Sequence, residues 1–211
     1  MGIHAMTATQ EQFEEMERHL MEDDRPSSYF QNRAGTGGLL VYPFSMLLDL
    51  KETAQSPVHH PEGNVWNHTM LVIDEAAKVK EKSSDARIFM WAALLHDIGK
   101  PGTTKIRNGR ITSYGHDKRG AKLAAAFLSP FMNDPEQIEK ICALVRWHMQ
   151  ILFVVKDLPF ADIKAMKNQT SVDDVALLGL CDRLGRGNPN KAKEEENVRI
   201  FEKKCKEKEL Q

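Results

Sequence analysis

Residues 94–100 read LLHDIGK, and this stretch decides how the rest of the chain is interpreted. An adjacent histidine and aspartate, His96 and Asp97, end a hydrophobic run, and Gly99 follows as a signal that ends a helix. Burial of an imidazole and a carboxylate at the end of an apolar helix is unfavourable unless a partner compensates them. A divalent cation binds both groups, so the stretch predicts a metal-binding helix end.

The residues around this pair predict an all-α fold. Residues 85–97 are almost wholly apolar, which is typical of a central helix that packs on several sides. Apolar periodicity predicts further helices at about residues 8–24, 44–51, 65–81, 116–128, 135–150, 160–168 and 171–185. We expect a turn-rich connector over residues 25–43, a small β-hairpin over 103–113 and an exposed, weakly docked helix over 191–211.

The composition favours one globular domain with short appendages. The chain has 211 residues, of which 41% are hydrophobic and 28% charged, and its formal net charge is −1. It contains no apolar run near the roughly 18 residues that span a bilayer. Residues 1–12 lack the segments of a secretion signal, and the three cysteines are scattered without metal-type spacing. We therefore expect a cytoplasmic protein that does not contact a membrane.

Positive charge is concentrated in the segment that follows the His-Asp pair. Residues 100–122 contain seven lysines and arginines and one acid, Asp117, which gives a net charge of +6. A solvated loop would explain any one of these residues alone. As a group beside a metal site, they predict a rim that faces phosphate groups.

Three further histidines and one aspartate occupy positions comparable to the pair. His68 and His148 lie on the apolar faces of their helices. His116 opens a helix, and Asp182 lies on the apolar face of another. Each alone has a structural alternative, namely a hydrogen-bonded core histidine, or an aspartate that caps a helix or pairs with Arg183. Together they predict a mixed imidazole and carboxylate site, which suits iron, manganese, cobalt, nickel or zinc.

The order of these residues resembles the HD superfamily of metal-dependent phosphohydrolases. The resemblance rests on His68, the His96-Asp97 pair and Asp182, all on helical scaffolding. It extends to four stretches that are similar to the HD domain of bacterial CCA-adding tRNA nucleotidyltransferases. These stretches are residues 60–69 (HPEGNVWNHT), 92–101 (AALLHDIGKP), 115–117 (GHD) and 181–186 (CDRLGR). The resemblance covers about residues 40–190 and implies an HD-domain helical bundle with the metal site between central helices.

The resemblance also implies a set of metal ligands. The implied ligands of a first ion are His68, His96, Asp97 and Asp182. In binuclear members, two extra histidines hold a second ion, and the aspartate of the His-Asp pair bridges the two ions. The two extra histidines correspond to His116 and His148 of this chain. Two divalent ions ~3.5–4 Å apart clamp the attacking and leaving oxygens of an in-line displacement. We expect two transition-metal ions, with magnesium also compatible. In the mononuclear alternative, the two extra histidines bind substrate or carry protons.

Cationic residues near the pair are candidates for phosphate binding. We expect Lys100 to place its ammonium on a non-bridging phosphate oxygen, which makes it a candidate catalytic residue beside Asp97. Arg119, Arg183 and Arg186 are candidate substrate-binding residues, because a guanidinium binds two oxygens at once. The alternatives are a helix-terminal charge for Lys100 and ordinary surface ion pairs for the arginines.

The resemblance implies hydrolysis of phosphate esters of nucleotides or RNA ends, of the 2′,3′-cyclic phosphodiesterase, nucleotidase or phosphatase type. The alternatives are a nucleotide anhydride hydrolase similar to diadenosine tetraphosphatases, and a non-catalytic module that binds RNA or another partner. We expect no CCA addition, since a nucleotidyltransferase head needs a glycine-rich turn followed by paired carboxylates, and residues 35–38 lack that pair.

The expected organisation has three parts. Residues 1–43 would form an N-terminal helix and connector, 44–190 the HD phosphohydrolase domain, and 191–211 a charged C-terminal helix. Apolar residues such as Phe44, Met46 and Leu47 would either serve a homodimer interface or complete the core.

Overall fold

The computed structural model of the chain describes residues 7–207. Helices dominate it, which confirms the predicted all-α fold. The α-helices are α1 (Ala8–Glu22), α2 (Ser27–Gly35), α3 (Ser45–Leu48), α4 (Val65–Ala77), α5 (Ala86–Leu95), α6 (His116–Leu128), α7 (Pro135–Trp147), α8 (Gln150–Val155), α9 (Ile163–Lys167), α10 (Val172–Leu184) and α11 (Lys191–Glu207). A 3₁₀ turn (Lys80–Lys82) follows α4, and the hairpin strands are β1 (Lys105–Arg107) and β2 (Arg110–Thr112). Within residues 7–207, no helix combines the length and apolarity needed to cross a membrane.

Helix α5 is the centre of the bundle. Every residue from Ile88 to Leu95 is buried, and α1, α4, α7 and α10 pack around this helix. The side chain of Asp85 caps its start by accepting a hydrogen bond from the backbone N–H of Ile88 at 3.0 Å. A helix that is apolar on every side requires such surroundings. Its carboxyl end, at His96, therefore lies inside the protein.

Two glycines bring the start of α6 against the end of α5. A Cβ built on Gly99 would collide with the carbonyl oxygen of His116 and would lie 2.6 Å from the backbone nitrogen of Gly120. Gly115, directly before α6, has a φ of 75°, in the left-handed region that favours glycine. The close approach places His116 beside the end of α5.

Residues 27–35 form helix α2, so the prediction of a turn-rich connector over 25–43 is wrong for this part. Phe30 is fully buried. Ser27 donates hydrogen bonds from its backbone nitrogen and its hydroxyl to Asp74 of α4, at 3.0 and 2.7 Å. Packing against α4 therefore outweighs the low helix propensity of serine and glycine.

The carboxyl-terminal helix also differs from its prediction. Phe201 and Cys205 of α11 are buried, and α11 packs against α8 and α10. The expectation of weak docking is therefore wrong for Lys191–Glu207, while residues 208–211 lie outside the described residues. The predicted hairpin is confirmed, with its turn at Asn108 and Gly109.

Candidate metal centre

Six buried side chains meet where several helices end inside the bundle. Their elements are α4 (His68), the end of α5 (His96 and Asp97), the start of α6 (His116), the end of α7 (His148) and the last turn of α10 (Asp182). None of the six residues as a whole is more than 7% exposed. These are the residues that the sequence analysis predicted as metal ligands, and the fold brings all of them together. The carboxyl ends of α5 and α7 carry partial negative charge, which favours a cation between them.

Three of the histidines are oriented in the same way. In each, Nδ1 lies within hydrogen-bond distance of the backbone carbonyl three residues earlier, at 2.8 Å for His96, 2.7 Å for His116 and 2.7 Å for His148. Because a carbonyl only accepts, each Nδ1 carries a proton and each Nε2 of the neutral ring presents a lone pair. Burial lowers the pKa of His148 to about 4. Burial also lowers the pKa of His116, although Asp97 opposes that shift.

The lone pairs of one group face each other. Nε2 of His116 and Nε2 of His148 are 3.2 Å apart, and Oδ1 of Asp97 lies 3.4 Å from the first and 3.9 Å from the second. Three electron-pair donors at these distances repel one another unless a cation lies between them. Their donor atoms all lie within 4.8 Å of one another, and neutral imidazoles with a carboxylate suit a divalent metal.

The second group consists of His68, His96 and Asp182, whose donor atoms also lie within 4.8 Å of one another. Nε2 of His96 is buried, and no described group forms a hydrogen bond with it. Oδ2 of Asp97 lies 3.3 Å from this nitrogen and 3.8 Å from Nε2 of His68. Asp97 therefore presents one oxygen to each group, as a carboxylate shared between two ions would.

Both aspartates are held in the ionised form that a metal ligand needs. Burial alone would raise the pKa of Asp97, but the charge of Lys100 keeps it well below the ordinary value. Burial likewise opposes ionisation of Asp182, yet the hydrogen bond with His68 and the charge of Arg186 keep its pKa well below the ordinary value.

Glu62 is a residue of this site to which the sequence analysis gave no role. Its Oε1 lies 3.0 Å from Nδ1 of His68 and 2.8 Å from Nδ1 of His60, and its Oε2 accepts a hydrogen bond from the backbone of Gly187 at 3.1 Å. Burial opposes its ionisation, but these donors lower the pKa of Glu62 to about 2. The carboxylate therefore fixes the ring of His68 and directs Nε2 towards Asp182, 3.0 Å away.

The proton on His68 is held by the same two carboxylates. Burial lowers its pKa, but hydrogen bonds with Asp182 and Glu62 raise it overall. A cation bound by Nε2 would take the place of the proton on that nitrogen, while Nδ1 would stay beside Oε1 of Glu62, 3.0 Å away.

The candidate phosphate-binding residues differ in how exposed they are. Nζ of Lys100 is nearly buried, 2.7 Å from Oδ2 of Asp97, and donates to Oε1 of Gln55 at 2.6 Å. Gln55, also buried, is a second residue that the sequence analysis missed. Arg183 and Arg186 are partly buried, and their Nε atoms lack a hydrogen-bond partner within the described part of the chain. Arg119 instead lies on the exposed surface, with its guanidinium against Gly102.

Comparison with known proteins gives a family assignment. The family model of the HD domain matches residues 65–157, a range that includes five of the six clustered residues and leaves out Asp182. The chain is 33% identical over 184 residues to the multifunctional CCA protein of Variovorax paradoxus, which covers 82% of this chain and 41% of that protein.

Two other relatives show the same pattern. The chain is 34% identical over 136 residues to the multifunctional CCA protein of Thioalkalivibrio sulfidiphilus, covering 64% of this chain and 31% of the relative. It is 33% identical over 123 residues to the CC-adding tRNA nucleotidyltransferase of Thermus thermophilus, covering 57% of this chain and 26% of the relative. The chain thus spans less than half the length of these relatives. Through residues 65–157 it belongs to the HD-domain family, a superfamily of metal-dependent phosphohydrolases whose members bind divalent metals.

Proposed function

We propose that this protein hydrolyses phosphate esters of nucleotides or RNA ends with the help of two divalent transition-metal ions. The observation that carries the proposal is the position of Asp97, whose two oxygens face two separate groups of nitrogen and oxygen donors. A carboxylate shared in this way is what a two-metal hydrolytic site requires.

The six clustered residues would divide between two ions. His68, His96 and Asp182 would hold one ion, His116 and His148 the other, and Asp97 both. Manganese, iron, cobalt, nickel and zinc all accept imidazole and carboxylate ligands, and magnesium is also compatible. When bound, such ions supply Lewis-acid stabilisation of charge on phosphoryl oxygens and lower the pKa of water.

The protein's own cations would bind and orient the phosphate. Lys100 lies against Asp97 with its ammonium in a water-poor environment, where it would stabilise charge that develops on a non-bridging oxygen. Arg183 and Arg186 flank Asp182 with unsatisfied Nε donors, which a phosphate group would satisfy. Arg119, on the exposed surface, would contact a part of the substrate that extends out of the site.

The names of the relatives support RNA ends as a substrate class. One relative is a tRNA nucleotidyltransferase by name and two are multifunctional CCA proteins, so RNA ends stand beside nucleotides in the proposal. The esters that fit the proposal are 2′,3′-cyclic phosphates, nucleoside 2′-phosphates and phosphate monoesters.

The test combines metal content with turnover. Protein purified without chelators would undergo elemental analysis and be assayed on 2′,3′-cyclic nucleotides, nucleoside monophosphates and diadenosine tetraphosphate, with added manganese, nickel, cobalt or magnesium. We expect about two metal equivalents and turnover of an ester. The Asp97→Asn variant should lose metal and turnover while its circular dichroism stays unchanged, and Asp24→Asn, at an exposed position, should retain both.

Three results would contradict the proposal. Full turnover by Asp97→Asn would exclude the shared carboxylate. Cleavage of diadenosine tetraphosphate alone would assign the site to nucleotide anhydrides. Absence of metal and turnover in the reconstituted wild type would leave a binding module.

A further inference from the structure

The β1–β2 hairpin carries an arrangement of charge that the fold itself does not need. Its register pairs Lys105 with Thr112 and Arg107 with Arg110. The turn residues Asn108 and Gly109 have φ values of 49° and 71°, as a tight two-residue turn requires. The hairpin is therefore a short, well-defined element rather than a loose loop.

One face of the hairpin holds three cations without a compensating acid. Directly paired residues lie on the same face of a sheet, so Arg107 and Arg110 are neighbours, and Lys105 shares their face. All three are exposed, and none forms an ion pair with a described carboxylate. The single acid of the basic segment, Asp117, is buried and paired with Arg146. Like charges that face each other weaken a strand pair, so the arrangement favours an anionic ligand.

An exposed aromatic ring adjoins these cations. Tyr114 is 67% exposed, and the guanidinium of Arg107 lies 5.7 Å from the centre of its ring. Ile106, on the opposite face of the hairpin, is 76% exposed. A cation beside a solvent-facing aromatic ring is the combination on which single-stranded nucleic acids dock, with phosphates on the cations and a base stacked on the ring.

The base of the hairpin is joined to the candidate site by hydrogen bonds. The hydroxyls of Thr104 and Ser113 are 2.7 Å apart and close the two strands. Thr104 also donates to the carbonyl of Lys100 at 2.8 Å, and His116 donates through Nδ1 to the carbonyl of Ser113 at 2.7 Å. A polyanion held on the hairpin is thereby anchored next to two residues of the site.

We propose that the β1–β2 hairpin, together with Tyr114, binds single-stranded RNA and presents the end of that RNA to the clustered residues. The inference deepens the proposed function and rests on it for the choice of RNA, because 2′,3′-cyclic and 2′-phosphate esters exist only on ribose. The regular spacing of phosphates suits cations at adjacent strand positions, and an exposed ring suits a base. An acidic protein segment would use the cations but not the ring.

The test measures RNA binding in the absence of turnover. A fluorescein-labelled single-stranded oligoribonucleotide of about 12 nucleotides, a length within the usual site sizes, would be titrated with the full chain in excess chelator and followed by anisotropy. The variants are R107Q/R110Q and Tyr114→Ala. A matched control is K203Q/K206Q, which removes two exposed cations from α11.

The expected results follow from the loss of specific contacts. R107Q/R110Q should weaken binding and lower the slope of log K against log salt by about 1.4, since each neutralised phosphate of a single strand contributes about 0.7. Tyr114→Ala should weaken binding roughly 5- to 150-fold through loss of base stacking. K203Q/K206Q should bind RNA like the wild type.

Two outcomes would overturn the inference. One is equal loss of RNA binding in R107Q/R110Q and K203Q/K206Q, and the other is wild-type affinity for RNA in both R107Q/R110Q and Tyr114→Ala. Failure of the proposed function would be distinguishable from failure of this inference. In that case the metal-loaded wild type would not hydrolyse 2′,3′-cyclic mononucleotides, although the hairpin variants would still bind RNA more weakly than the wild type.

Discussion

Replacement of Glu62 by glutamine tests whether the carboxylate that holds His68 controls the metal site. The change preserves shape but exchanges one oxygen for an NH₂ group. Oε1 of Glu62 faces the Nδ1 atoms of two histidines and Oε2 faces the N–H of Gly187, so every orientation of the amide places one donor against another. The side chain is 3% exposed, which leaves water little access to relieve this conflict.

The expected loss of metal affinity follows from the role of a carboxylate that contacts a metal ligand but not the metal itself. Loss of a group that orients a ligating histidine lowers metal affinity roughly 10- to 100-fold. We therefore expect Glu62→Gln to bind the metal retained by the wild type about 10- to 100-fold more weakly, which corresponds to about 1.4–2.8 kcal/mol. Affinity would be measured by competition with a chelator of known strength, beside thermal denaturation of the metal-free protein to separate folding from binding.

The matched control is Glu52→Gln, which removes the same charge from an exposed position in the preceding loop. We expect its metal affinity to equal that of the wild type. If Glu62→Gln binds metal as tightly as Glu52→Gln, the carboxylate does not orient His68, and the reasoning from its contacts is refuted.

Three further predictions concern packing and thiol chemistry. Gly99→Ala should lower stability by about 1–3 kcal/mol in thermal denaturation, because the added methyl group meets backbone at the start of α6. Gly35→Ala, with open space around it in α2, should melt at or slightly above the wild-type temperature. Phe201→Ala should lower the free energy of unfolding in urea by about 3–5 kcal/mol, because this ring of α11 is fully buried. An unchanged urea midpoint would show that α11 does not contribute to the core. Burial raises the pKa of Cys142 to about 11, which lowers the fraction of reactive thiolate at pH 8. Alkylation of Cys142 by iodoacetamide, followed by mass spectrometry, should therefore be roughly 100-fold slower in the native protein than in urea. Equal rates would contradict the burial of this thiol.

Residues with a strong local pattern were predictable from the sequence. His96 and Asp97 interrupt an apolar run, and a polar side chain on an otherwise apolar helix face stands out in the same way at His68 and His148. Since the faces of helices are fixed by a period of 3.6 residues, inward placement follows from spacing alone. Their roles as metal ligands remain predictions, which the metal analysis tests.

Contacts made by loops were not predictable in this way. Glu62 lies in an irregular segment, and it reaches His68 because Gly63, with a φ of 104°, turns the chain just before α4. Gln55 meets Lys100 across 45 residues of sequence, and no periodicity relates the two. Helix α2 was missed for a related reason, because its stability comes from Asp74 and the buried ring of Phe30 rather than from its own composition.

The shared orientation of His96, His116 and His148 makes the site modular. Each ring is aligned by a carbonyl three residues earlier in its own segment, so no distant residue has to be positioned to prepare the lone pair. At the ends of α5 and α7 that carbonyl belongs to the last turn, whose acceptors are otherwise unused. A histidine placed directly after the last residue of another helix would therefore bring its own alignment with it, and a designer could assemble a comparable centre by choosing only where helices end.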